Sequence, residues 1–125
     1  MATGFAADQP KPKVDKVPFA QTGTISDTNV LTVTFLNMTD HITVRNANTA
    51  TTSTLKVGFT ATGVAAAAYV ALNTGESITL DVRSKQICLL KSAGSSVVYS
   101  ITGALSRLES QDYPDITTAN GFEKV

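Results

Sequence analysis

The chain offers one histidine, His41, one cysteine, Cys88, and ten carboxylates for base, thiol and metal-ligand chemistry. Nucleophilic catalysis requires a base beside the nucleophile. Only His41 could serve, and its place after Thr39-Asp40 reads as a strand-end histidine. Cys88 lies in the apolar run Ile87-Cys88-Leu89-Leu90 and reads as a small buried hydrophobe. A single cysteine excludes an internal disulfide and a cysteine-rich zinc site, and His41 with scattered carboxylates has no metal-ligand spacing. Glycoside hydrolysis needs two carboxyls flanking a cleft. The nearest pair in sequence is Glu76 and Asp81, one in a turn and one on a polar strand face, which reads as solvated or ion-paired acids. Gly58, Gly63, Gly75 and Gly94 fall in turns and bulges, not between a strand and a helix where a phosphate would be cradled. The expectation is a chain that is not an enzyme, with no catalytic residue, cofactor or metal.

Binding chemistry is more open. Ten basic and ten acidic residues cancel, so no overall field attracts nucleic acid or an acidic membrane surface. Stacking on bases wants aromatics interleaved with cations, and the chain has no Trp, three Tyr and five Phe. Arg83 and Lys85, with Lys91, are expected to form a basic patch on adjacent strands that could meet an acidic partner surface. Exposed Tyr69 or Tyr99 beside an acidic groove would instead suit a carbohydrate or receptor. Only 16% of residues are charged while Thr and Ala abound, so the surface must be largely hydroxyl and methyl. Such a surface suits a protein packed against neighbours.

The elements that position these residues are short runs of β-branched and aliphatic residues, broken at intervals of roughly ten by Ser, Asn, Asp, Gly and Thr clusters. That spacing predicts an all-β sandwich or barrel, of which a single antiparallel β-sandwich is the expectation, with strands near 17–25, 29–37, 41–46, 54–60, 68–72, 77–83, 86–91 and 96–105. Alternation places Ile78, Leu80 and Val82 on one face, and likewise Ile42 with Val44, Leu55 with Val57 and Phe59, and Val97 with Tyr99 and Ile101. These faces, with Phe35, Leu72 and Leu89, form the expected core. Ala65–Ala68 supports at most one helical turn.

Three parts are expected: an extended N-terminal arm over 1–16, a sandwich over 17–105 and a C-terminal tail over 106–125. The arm has Pro10 and Pro12 and the basic residues Lys11, Lys13 and Lys16, and lacks the apolar stretch of a signal peptide. The tail is acidic through Glu109, Asp112, Asp115 and Glu123, with Tyr113 and Phe122 as apolar anchors. Candidate partner-binding residues are therefore Lys11, Lys13, Lys16, Arg83, Lys85, Tyr113 and Phe122.

Eight short strands with extended tails suggest a jelly roll. The segments Leu55-Lys56-Val57-Gly58-Phe59-Thr60-Ala61-Thr62-Gly63-Val64, Gly75-Glu76-Ser77, Asp81-Val82-Arg83-Ser84-Lys85 and Ile101-Thr102-Gly103-Ala104-Leu105 resemble small structural proteins of tailed-bacteriophage heads. The resemblance covers about residues 40–107 and implies a decoration or cement protein of the virion. Such a protein is made in the host cytoplasm and binds the outer surface of an assembled capsid. The implied partners are the major capsid protein or another virion protein and copies of itself, with a trimer implied by the resemblance alone, and no nucleic acid or membrane. The same residues leave open another virion β-module, such as a tail, fibre, baseplate or small shell subunit, or a carbohydrate- or receptor-binding module.

Overall fold

The structure is a computed structural model that describes residues 16–49, 52–109 and 111; Lys11, Lys13, Tyr113 and Phe122 lie outside the described residues. Eight strands form: β1 (Val17–Ile25), β2 (Leu31–Thr34), β3 (Asn37–Asn46), β4 (Thr54–Gly58), β5 (Val70–Asn73), β6 (Ser77–Leu80), β7 (Gln86–Ala93) and β8 (Val97–Glu109). One short helix, α1 (Ala61–Ala65), joins β4 to β5. The strands make two four-stranded antiparallel sheets ordered β1-β8-β3-β6 and β2-β7-β4-β5. First strand pairs with last, third with sixth, second with seventh and fourth with fifth, so the chain is one long antiparallel hairpin rolled up with its tip at β4–β5. This is the pairing of a jelly roll, the fold suggested by eight short strands with extended tails.

The core lies between the sheets. Ile42, Val44, Leu55, Ile87, Leu89, Val97 and Ile101 are fully buried, with Phe35, Val57, Leu72 and Tyr99 beside them. Each large aliphatic side chain removed from water there contributes roughly 1.5–3 kcal/mol before entropy is counted. Ile78 and Leu80 are only half-buried, because β6 is the outer strand of its sheet, and Val82 is half-buried in the connection that follows it. Phe59 is buried apart from this central cluster. Cys88 is buried out of phase with Ile87 and Leu89, so it faces the opposite side of its sheet. Its register partner, Gly58, carries no side chain there because a Cβ would come within 2.8 Å of the Ala68 carbonyl oxygen and 3.1 Å of Val64. That absence lets α1 pack against β4 and β7 with Val64 fully buried.

Sequence propensity puts the helical turn at Ala65–Ala68, but it begins four residues earlier. Thr60 caps it, its hydroxyl accepting the Gly63 amide hydrogen at 2.9 Å. The alanines follow it, with the Ala66 and Ala68 amides donating to the Gly63 carbonyl. Strand β8 continues to Glu109, through residues expected to begin the tail. The burial alternation of Val97, Tyr99 and Ile101 skips a position at Thr102–Gly103 and resumes with Ala104 and Ser106. Irregular pairing with β3 begins just beyond the skip, where Ala104 pairs with His41 and Leu105 with Thr39. Strand β6 stops at Leu80, short of the expected Arg83, because the carbonyl of Val82 and the amide of Ser84 bond instead to the Thr39 hydroxyl.

Both rims of the sandwich are closed by buried polar side chains. At the rim carrying the β1–β2, β3–β4, β5–β6 and β7–β8 connections, Asn46 is fully buried and its amide donates to Ser53 Oγ at 3.1 Å and to the Leu72 carbonyl at 3.0 Å. Asn48 donates to Ser53 Oγ and the Ser96 carbonyl, each at 3.0 Å, and accepts from the Val98 amide at 2.7 Å. Unpaired buried polar groups cost about 1–3 kcal/mol each. Asn46→Ala should therefore lower unfolding free energy by about 2–3 kcal/mol in urea titration, whereas Thr22→Ala on the exposed face of β1 should change it by under about 0.5 kcal/mol. A cost for Asn46→Ala no larger than for Thr22→Ala would show that the network is not what holds the rim.

Candidate interaction groove

At the opposite rim the start of β1, the irregular part of β3, the β6–β7 connection and the end of β8 converge. The β1–β8 register pairs Val17 with Leu105, which brings Lys16 alongside Ser106. The Ser106 hydroxyl donates to the Met38 carbonyl at 2.8 Å, fastening the end of β8 to β3. On β3, Asp40 sits where the pairing with β8 is irregular. The Thr39 hydroxyl donates to the Val82 carbonyl at 2.7 Å and accepts from the Ser84 amide at 2.9 Å, gripping the chain on both sides of Arg83. Lys16, Asp40, Arg83, Ser106, Arg107 and Leu108 together line a depression of about 220 Å³.

Three cations and one carboxylate give this lining a net charge of 3 − 1 = +2. Asp40 is the internal counter-ion. Its Oδ2 lies 3.4 Å from His41 Nδ1 and 3.3 Å from Lys16 Nζ. The hydrogen bond from His41, then that from Lys16, holds its carboxyl below the ordinary range. Arg83 is exposed and forms no ion pair among the described residues.

Sequence reading named Lys16 and Arg83 separately, and the fold brings them together. It misses Arg107, whose position after Leu105 reads as tail but belongs to β8. The expected patch of Arg83, Lys85 and Lys91 on adjacent strands does not form. Arg83 and Lys85 lie in the connection before β7, Lys85 does not line the groove, and Lys91 near the other end of β7 donates to the Gly94 carbonyl at 3.2 Å.

The remaining candidates are absorbed by the fold. Glu76 Oε1 accepts the Asn73 amide hydrogen at 2.7 Å and clamps the β5–β6 turn. Tyr99 is buried with its hydroxyl accepting from Gln21 at 3.1 Å, so it offers no exposed platform for a sugar. The Tyr69 ring is covered by Lys56, whose Nζ stands 4.4 Å from the centroid. Among the described residues no three His, Cys, Asp or Glu side chains gather as metal ligands. Burial pushes the Cys88 thiol up, partly offset by the Thr32 hydroxyl 3.5 Å away. Leu36 is 88% exposed between β2 and β3, beside a shallow depression formed with Phe35, Asn37, Glu109 and Gln111.

Two measurements follow. Because the Asp40 pKa is lowered on folding, its stabilising contribution is complete at neutral pH and disappears as pH falls through the folded value. The difference in urea midpoint between the native chain and Asp40→Asn should thus be constant near neutrality and vanish below the ordinary carboxylate range; a difference that persists there would assign the effect to something other than charge. The Cys88 thiol should resist alkylation in the folded chain and react on unfolding in urea, and rapid labelling without denaturant would contradict the burial.

No protein-family model and no curated protein matches the chain.

Proposed function

We propose that the chain is a non-enzymatic structural protein of a virion, which binds the outer surface of an assembled capsid and stabilises it. The observation that carries this reading is strand β1. It is nine residues long, forms the outer strand of its sheet among the described residues, and has the sequence VPFAQTGTI without a single charge. Long outer strands in freely diffusing proteins are normally guarded by charge, because their free amide and carbonyl groups template further pairing. Here Pro18 is the one such guard.

Exposed threonines extend this uncharged hydroxyl character to other strands of both sheets. Thr22, Thr24, Thr32, Thr34, Thr79 and Thr102 are exposed. Hydroxyls on strand faces can bond to a neighbouring chain at small desolvation cost, whereas charged side chains would lose more. A protein that binds the assembled lattice and not its dissociated parts stabilises the shell by mass action, and repetition makes weak contacts sufficient. Self-association, with a trimer as the preferred form, belongs to the same proposal.

Purified virions containing the chain provide the test. The chain should sediment with full particles in copy numbers comparable to the major shell subunit. Stripping it should lower the temperature at which the shell releases its contents, and adding it back should restore that temperature. Presence at only a few copies per particle would move it to a tail, fibre or baseplate, and absence from particles would overturn the virion reading.

A further inference from the structure

We infer that the outer edge of β1 pairs antiparallel with β1 of a second copy of this chain, about a two-fold axis at Thr22, joining two sheets into one of eight strands. In an antiparallel ladder, alternate residues direct both N–H and C=O away from the neighbour already paired. On one side β1 pairs with β8, and among the described residues its other side pairs with no strand. Pro18 has no N–H to offer there, but residues 19–25 keep theirs.

Charge and size both select a second copy over a partner of different sequence. In a two-fold pair each residue near the axis faces its own symmetry mate, so a charge there would meet its like. None of the residues of β1 is charged, whereas a strand matched to a different partner is free to use charge for recognition. The nearest charges on either side are opposite, Lys16 before the strand and Asp27 after it. Antiparallel pairing brings the Lys16 end of each copy to the Asp27 end of the other. Lys16 lies 3.3 Å from Asp40 in its own copy yet keeps 63% of its side chain exposed, and Asp27 is exposed. The outer strand of the other sheet, β2, meets β1 at a depression lined by Thr24, Ile25 and Leu31, and its sequence LTVT adds no charge.

The register centred on Thr22 sets Gln21 opposite Gly23, Ala20 opposite Thr24 and Phe19 opposite Ile25. Gly23 is held as glycine from within, because a Cβ would stand 2.6 Å from the Tyr99 hydroxyl oxygen. The long Gln21 of one copy thus lies beside a position of the other that has no side chain. Phe19, half-buried with its ring centroid 5.1 Å from that of Phe35, gains an apolar neighbour in Ile25. Thr22 meets Thr22, a pair whose hydroxyls bond across antiparallel strands. The inference shares with the virion reading only the open edge of β1. It needs no shell, and it leaves the contacts of a trimer to other surfaces.

The test uses the full chain in solution, without particles. A few residues a side is well below the roughly 20–30 of a standard interface, so the contact is weak and is best trapped covalently. Opposed Thr22 Cα atoms would lie about 4.5–5.5 Å apart, within disulfide reach, while Ala20 would stand about 14 Å from its mate. Under mild oxidation, Thr22→Cys should therefore form a covalent dimer roughly tenfold faster than Ala20→Cys or Thr79→Cys. Cys88 is buried and should not contribute. Thr22→Lys and Thr22→Glu should each abolish the association seen by sedimentation at high protein concentration. An equal mixture of the two should restore it, because only the mixed pair sets opposite charges at the axis. Thermal midpoints of these variants should stay near that of the native chain. Cross-linking of Thr22→Cys no faster than the two controls would overturn the inference, and so would a mixture that associates no more than its components. Self-association that Thr22→Lys leaves intact would place it on another surface and overturn the inference as well. Particle binding, measured separately on the native chain, can be present without the pair or absent with it, so the two readings fail independently.

Discussion

Each time the chain crosses from one sheet to the other, backbone amides and carbonyls leave their ladder at the rim of an apolar core, and the fold depends on short polar side chains to pair them. Asn46, Asn48 and Ser53 do this at one end; Thr39, Ser84 and Ser106 do it at the other. All six are buried, and their partners are largely backbone groups or one another. The cost of an unmade hydrogen bond in such a place exceeds the gain from any one surface contact, so these residues fix where strands end. The apolar faces between the rims are then free to pack by size and shape alone.

The groove inherits its geometry from that constraint. Thr39 has one hydroxyl, and its bonds to Val82 and Ser84 draw the β6–β7 connection against β3. Arg83 is carried there as the residue between them. The close approach of β3 and β8 works in the same direction, since a Cβ on Gly103 would strike the carbonyl oxygen of His41. Three cations from three separate stretches of chain therefore meet around Asp40 because backbone bonding brings their stretches together, not because they attract one another.

Much of the sandwich was legible in sequence. Strand β1 was expected at its observed limits, and Val44, Val57, Leu72, Leu89 and Ile101 lie in the core as alternation predicts. Alternation reports which face is apolar, so it failed where burial is polar or where the phase slips. Asn46 and Asn48 look like turn residues by type and are buried by context. The end of β8 reads as tail in sequence because one skipped position at Thr102–Gly103 breaks the pattern while the ladder continues. The groove was legible only as separate cations. Its assembly rests on the pairing of β1 with β8 and on the Thr39 bonds, both contacts between residues distant in sequence, which local pattern does not encode.

The rolled hairpin also gives the molecule a direction. Because the first strand pairs with the last, the segments before Lys16 and after Gln111 both attach at the rim that holds the groove. The rim sealed by Asn46, Asn48 and Ser53 carries only short connections, among them Ser26–Asn29, where Asp27 accepts the Asn29 amide hydrogen and the four side chains are exposed. A body built this way has a foot and a crown. If the foot is engaged by neighbours, the crown is presented outward, and the Ser26–Asn29 turn, which contributes no side chain to the buried network, is the point from which a grafted peptide would be displayed.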